Sequence, residues 1–336
     1  MADRRRKKRK IWLVPVLAGS AAVLILAGLG AHALLSGRKA RTDTVSGPVS
    51  RSDGTVVWQG KEYVYNRNLE NYLLIGVDNR EKTETSAGQA DAGQADAIWL
   101  AVRDPSENAV SVITIPRDTM TEIELIAPDG GSLGKDVNHI SLSYAYGDGG
   151  HESCRLTKEA VSNLLYGVPV LAYCAVSMDA LPELTESVGM LTVTVPNDSL
   201  EEAYPEFAEG AEVTLTPENT ETFVRYRDTE VSQSALARTE RQQAFLGAWS
   251  EAAKQKYAED SRFPAELYEA LEPYMITDMG NDEFVRLAQD AASGRTGEGW
   301  SIPGEGSQGA DYDEYHVDDG ALYEKIIETF YEEAEP

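Results

Sequence analysis

Arginines and two aspartates carry the chemistry this chain could do. Arg225 and Arg227 fall in Val224-Arg-Tyr-Arg-Asp228, Arg238 and Arg241 in Arg238-Thr-Glu-Arg-Gln-Gln243, and Arg117 in Ile115-Pro-Arg-Asp-Thr119, directly after a β-branched run. A guanidinium is a planar fork of donors that grips phosphate or pyrophosphate oxygens in pairs. In a chain of net charge −26, the default for any single arginine is a carboxylate partner. Their grouping at motif-like positions points to an anion instead. Asp78 closes the apolar run Tyr72-Leu-Leu-Ile-Gly-Val77, and Asp96 opens the next one in Gln94-Ala-Asp-Ala-Ile98. Carboxylates at the ends of adjacent strands, joined by phosphate oxygens, form a Mg²⁺ site. Two turn or cap aspartates are the alternative, and spacing alone does not separate the two.

The elements that must position these groups are legible in outline. Tyr72–Val77 reads as a strand buried on both faces. Ala97–Val102 and Val110–Ile115 read as two more, divided by the turn-forming Asp104-Pro-Ser-Glu-Asn108. A helix over Leu156–Tyr166, a strand over Val168–Val176, a helix capped by Asp179 and stopped at Gly189, and a strand over Leu191–Val195 follow. Thr216-Pro217 is a helix start running to Val224. If the chain then extends, Arg225 and Arg227 point the same way. A helix over Leu236–Tyr257 puts Arg238, Gln242, Phe245 and Trp249 on one face, so an arginine and an amide head a stripe that becomes core. A further amphipathic helix covers Leu322–Tyr331. Alternating strands and helices predict an α/β domain, its sheet covered on both faces.

The amino-terminal end sets the topology. Arg4–Lys10 is an unbroken cationic run, and Ile11–Leu35 contains no Asp, Glu, Lys or Arg. Such a segment reads as an uncleaved single-pass anchor at 11–35, with residues 1–10 cytoplasmic and the bulk outside. Residues 36–60 read as a flexible stalk and 61–336 as the extracytoplasmic domain. Residues 1–41 carry ten Lys/Arg against one Asp, and the remainder 20 Lys/Arg against 55 Asp/Glu. No basic run lies beyond Arg41, so nucleic acid is excluded as a partner. Cys154 and Cys174 could form a disulfide or stay buried thiols. Asn138 and His139 are expected to pin a loop, Tyr144 and Tyr146 to line core or wall, and His151 and His316 to lack partners.

Taken together the segments resemble the LytR-CpsA-Psr family of cell-wall phosphotransferases. The resemblance rests on Tyr72–Arg80, Ala95–Ile98, Val112–Thr119, Val137–His139 with Ala145–Gly147, Phe223–Asp228 and Arg238–Gln243, in order, together with the anchor. It implies a single large domain with a central mixed sheet flanked by helices, on the outer face of the membrane in a Gram-positive-type envelope. It implies transfer of an anionic glycopolymer, such as teichoic acid or capsule, from an undecaprenyl-pyrophosphate carrier to peptidoglycan, at the 6-hydroxyl of muramic acid. By motif position, Asp78 and Asp96 would hold Mg²⁺ (or Mn²⁺). Arg117, Arg225, Arg227 and Arg238 would hold the pyrophosphate, with Arg80 and Gln242 in support. Asp118 would orient an arginine rather than act as base, since a carboxylate amid guanidinium groups is a weak base. Two features depart from the pattern. Ala95 and Ala97 flank Asp96 where the family has hydroxyls, and Asp91, in a duplicated Ala-Gly-Gln-Ala-Asp unit, competes with Asp96 as ligand. A polyprenyl-pyrophosphate phosphatase, or a non-catalytic lipid-phosphate-binding regulator, are the alternative readings.

Overall fold

The computed structural model describes residues 49–50, 55–78, 93–226, 234–293, 295–309 and 312–334. Its centre is a seven-stranded mixed sheet: β1 Glu70–Val77, β2 Ala95–Asp104, β3 Ala109–Ile115, β4 Ala172–Ser177, β5 Met275–Thr277, β6 Arg295–Thr296 and β7 Trp300–Ser301. The order is β5-β4-β1-β2-β3-β6, with β7 also on β3. β1 runs antiparallel to β2 and parallel to β4, and β2 runs antiparallel to β3. Strand side chains alternate between faces, and the core divides accordingly. Tyr72, Leu74, Ala101, Val112 and Val176 face one side, against the Leu181–Val188, Thr220–Arg225, Ser234–Glu259, Phe263–Leu271 and Asn281–Ser293 helices. Leu73, Ile75, Ile98, Leu100 and Ile113 face the other, against the His151–Leu164 and Asp319–Phe330 helices. The expected α/β domain with helices on both faces of a mixed sheet is what forms.

Several local expectations are corrected. The helix expected from Leu156 begins at His151, because Asp148 Oδ1 accepts from the backbone N–H groups of Gly150 (2.7 Å) and Ser153 (3.3 Å) and so satisfies its first turn. The helix expected from Thr216 begins at Thr220. Asn219 Oδ1 accepts from Thr216 N and the Thr220 hydroxyl donates to Thr216 O, each at 2.8 Å, which makes 216–219 a closed turn. That helix ends with Arg225, so Arg225 is helical rather than the start of a strand. Asn138 and His139 lie in a strand, not a loop: Ser132–His139 pairs antiparallel with Met120–Ile126. His151 Nδ1 meets Tyr173 Oη at 2.7 Å and His316 Nε2 meets Glu314 at 2.9 Å, so both have partners. Val49–Ser50 and Thr55–Trp58, read as stalk, pair in a small sheet with Lys61–Tyr65 and Tyr331–Glu333. The expected anchor at 11–35 lies outside the described residues; among the described residues no helix is long and apolar enough to cross a membrane.

The cysteine alternatives resolve by topology. Cys174 packs on one face of the sheet and Cys154 on the other, both as free thiols. Burial pushes the Cys174 thiol up to about 12 and raises Cys154 as well. Ellman titration of protein unfolded without reductant is therefore expected to find two thiols per chain, with little reaction before unfolding. Zero thiols would mean a disulfide, and a different packing of β4.

Candidate active site

Three adjacent strand ends build one site. Antiparallel pairing brings the end of β1 to the start of β2, through Val77 opposite Ala95, and the end of β3 to the same edge, through Ile115 opposite Ile98. Asp78 therefore stands beside Asp96. After Ile115 the ladder stops at Pro116, which has no N–H to give. Its carbonyl instead accepts from the Thr119 backbone (3.0 Å) and hydroxyl (2.6 Å), closing a tight turn. Arg117 and Asp118 ride on that turn.

The Asp96 side chain is 1% exposed and its Oδ1 is paired with Arg117 Nη1. Arg117 also donates from Nη2 to Gln94 Oε1 at 2.6 Å and from Nε to Asp118 Oδ1 at 3.2 Å. Asp78 Oδ1 accepts from Arg225 Nη2 at 2.8 Å, and Arg225 Nη1 donates to Glu221 at 2.5 Å, one helical turn back. Arg238 is buried and close enough that its charge acts on Asp96. Burial pushes the Asp96 carboxyl up to about 6; the charges of Arg117 and Arg238 oppose that rise, and Asp78 adds to it.

Six of the residues singled out in the sequence thus converge: Asp78, Asp96, Arg117, Asp118, Arg225 and Arg238. Gln242, one turn on from Arg238, reaches the Val224 carbonyl only at 3.5 Å. Arg80, Arg227 and the competing Asp91 lie outside the described residues. Sequence reasoning missed Gln94 and Glu221; the latter's i,i+4 spacing to Arg225 signals a pair once the helix is carried through Arg225. It also left Arg241 without a role. That guanidinium is buried, donating from Nε to Phe223 O at 2.8 Å and from its two amino groups to Ser199 Oγ and Tyr226 O. It lashes the Ser234–Glu259 helix to the segment that carries Arg225.

The donor set suits a hard cation. Asp96 Oδ2 is buried with no hydrogen-bond partner among the described residues, a condition worth about 1–3 kcal/mol or more for an ionised group. Oxygen ligands from Asp96 and Asp78 fit Mg²⁺, which keeps waters and takes phosphate oxygens for the rest. Among the described residues no group of three or more His, Cys, Asp or Glu could close a metal site on protein ligands alone.

Comparison with known proteins follows the same lines. The LytR_cpsA_psr family pattern matches residues 34–328. The chain is 27% identical over 249 residues to the polyisoprenyl-teichoic acid–peptidoglycan teichoic acid transferase TagU of Bacillus subtilis (strain 168), spanning 73% of this chain and 71% of that one. Among solved structures, TagV of B. subtilis superposes with a TM-score of 0.57 at 20% identity, over 79% of this chain and 98% of that one. TagT bound to LI-WTA superposes with a TM-score of 0.57 at 19% identity, over 78% and 90%. These structural likenesses speak for the fold.

The elevated Asp96 carboxyl has a consequence for stability. A group whose pKa is higher in the folded state favours folding below its unfolded value and loses that contribution as pH rises through the folded one. Asp96→Asn stays neutral throughout. It is expected to raise the melting temperature of metal-free protein at pH 8, by at most about 3 kcal/mol of stability. The gain should shrink below about pH 6 and vanish near pH 4. Melts from pH 4 to 8 check this; a variant less stable than wild type at pH 8 refutes it.

Proposed function

Because this chain belongs to the LytR_cpsA_psr family, we propose that it is a transferase that moves an anionic glycopolymer from a polyprenyl-pyrophosphate carrier to peptidoglycan. The observation that carries this reading is the gathering of Arg117, Arg225 and Arg238 around Asp78 and Asp96 at one end of the sheet. TagU, by its name, acts on polyisoprenyl-teichoic acid and peptidoglycan. Undecaprenyl is the expected prenyl chain, a muramic acid 6-hydroxyl the expected acceptor, and the outer face of the cytoplasmic membrane the expected location, with residues 11–35 as anchor.

Phosphoryl transfer asks for in-line placement and neutralisation of charge spreading over phosphate oxygens. Arg117 uses three of its donors on Asp96, Gln94 and Asp118, which leaves two of a guanidinium's five N–H groups for a phosphate. Asp118 acts as a positioning residue, holding Arg117 at Nε. Arg225 keeps further donors beyond Asp78 and Glu221, and Arg238 supplies positive charge from within the core. Arg227, Arg80 and Gln242 complete the proposed pyrophosphate cradle. Asp78 and Asp96 would hold Mg²⁺, which when bound supplies charge neutralisation at the phosphate oxygens. The acceptor oxygen would bond to the polymer-side phosphorus as that phosphorus parts from polyprenyl phosphate. The latter leaves as a stable anion able to take up the hydroxyl proton, so no separate general acid is required at that atom.

The lipid needs an apolar berth. On the Ser234–Glu259 helix, Ala244, Gly247 and Ala248 are all half-buried, and a Cβ at Gly247 would meet nothing within 4 Å. Ala244, Ala248 and Trp99 border the same apolar core, so this small-residue face is the proposed wall of the prenyl site.

The decisive assay uses full-length protein with Mg²⁺, a glycopolymer linked to polyprenyl pyrophosphate, and peptidoglycan present or absent. Release of polyprenyl phosphate that requires the acceptor supports transfer. Release without it indicates a phosphatase, and no release in either case defeats the proposal. Arg117→Lys is expected to lower the rate at least ~100-fold, because an ammonium cannot span three side-chain oxygens and a phosphate. Gly247→Leu places its Cβ in open space and gains roughly 0.8 kcal/mol of helix propensity. It should keep the melting temperature while raising KM for long-chain donors; unchanged KM would remove this face from the lipid site.

A further inference from the structure

Two buried side-chain oxygens at the catalytic end lack a hydrogen-bond partner among the described residues: Asp96 Oδ2 and Ser141 Oγ. They belong to segments far apart in sequence that the backbone stitches together. Ser141 N donates to the Arg117 carbonyl at 3.1 Å, and the Ser141 carbonyl accepts from Ala95 N at 3.2 Å. Ser141 is thus tied both to the residue before Asp96 and to the arginine paired with Asp96. It is fully buried, so solvent does not satisfy its hydroxyl.

Local structure gives that hydroxyl no task either. Ser141 precedes the short Leu142–Ala145 helix, but its side chain makes no capping bond. Ser143, two residues on and equally buried, behaves otherwise: its Oγ donates to Ile140 O at 2.6 Å and lies 3.1 Å from Thr157 Oγ1. Buried polar groups in native proteins are almost always satisfied, by protein or by ordered water. An alanine would fill the Ser141 position without the penalty of a bare hydroxyl. Ala95 and Ala97, beside Asp96, offer no hydroxyl of their own.

We propose that Ser141 is a positioning residue for the divalent cation held by Asp96 and Asp78, its hydroxyl binding a water of the cation's hydration shell next to Asp96 Oδ2. The inference rests on the metal role given to the two aspartates above. Mg²⁺ retains several of its waters when bound, and groups that hold outer-shell ligands tune metal affinity by about 10–100-fold. One shared water and cation would satisfy both orphaned oxygens at once.

The test compares full-length wild type, Ser141→Ala, Ser143→Ala and Asp96→Ala, with Mn²⁺ as the probe. Calorimetry gives the Mn²⁺ Kd, and thermal melts with and without Mn²⁺ give the metal-induced rise in Tm. Ser141→Ala is expected to melt no lower than wild type without metal, to bind Mn²⁺ at least about tenfold more weakly, and to gain less Tm from it. Ser143→Ala should show the opposite pattern: a lower metal-free Tm and an unchanged Kd. If Ser141→Ala binds Mn²⁺ within twofold of wild type while Asp96→Ala binds none, this inference fails and the metal role of the aspartates stands. If wild type binds no Mn²⁺, both fall. Should Ser141→Ala not fold, Ser141→Cys keeps the volume with only a weak hydrogen-bonding thiol and carries the same Kd comparison.

Discussion

Burial of the Asp96 carboxylate is the constraint around which this end of the molecule is organised. A carboxylate taken out of water loses hydration that only opposite charge and hydrogen bonds can replace. Arg117 and Arg238 supply that charge, yet the group still rises to about 6, with the neighbouring Asp78 charge working against it. The arrangement is therefore not optimised for the stability of the isolated chain. A buried acid kept partly unsatisfied next to a second acid is a site whose balance improves when a further positive charge arrives. This is the signature expected of a binding centre rather than of a structural ion pair.

The sheet makes the constraint possible. Antiparallel neighbours on both sides of β2 oblige the two flanking strands to finish where β2 begins, so three short segments deliver Asp78, Asp96 and Arg117 to one edge. The same period-2 alternation fixes which side chains enter which core, and a one-residue slip would exchange the two faces entirely. The site is thus as rigid as the hydrophobic register of Leu73–Val77 and Ile98–Val102. The second half of the site comes from helices, where a different device operates. Arg241 spends its donors on the carbonyls of Phe223 and Tyr226 and on Ser199. Burial lowers its pKa to about 10, and the nearby charge of Arg238 adds to that.

What could be read from the sequence was whatever left a strong local imprint. Tyr72–Val77 is a short apolar run and Val110–Ile115 is rich in β-branched residues, so the central strands, and with them the edge aspartates, were evident. The Ser132–His139 strand was not: its residues are almost all exposed, and without a buried face there is no alternation to detect. The start of the helix leading to Arg225 was misplaced because Pro217 advertises it three residues before the one that forms, the Asn219 side chain having closed the intervening turn first. Gln94 was passed over because nothing beside it in sequence shows a role, whereas its side-chain carbonyl oxygen accepts from Arg117 across 23 residues. In each case the deciding bond joins residues whose proximity only the tertiary fold creates, or competes locally with a stronger-looking signal.

Charge at the scale of the whole chain and charge at the site point in opposite directions, and the opposition is informative. With a net charge of −26, the protein as a whole repels an anionic polymer, and long-range steering cannot supply recognition. Attraction has to be local, supplied by the part-buried guanidinium groups of Arg117 and Arg225 and the buried one of Arg238, where Coulomb interactions are stronger than in open water. Under the proposed function this places affinity in the pyrophosphate and its prenyl tail, the two parts of a donor that do not vary with the sugar chain. The polymer itself would extend away over a surface that does not hold it. Under that proposal the enzyme would discriminate by carrier rather than by cargo, and its acidic exterior would favour departure of the polyanionic product.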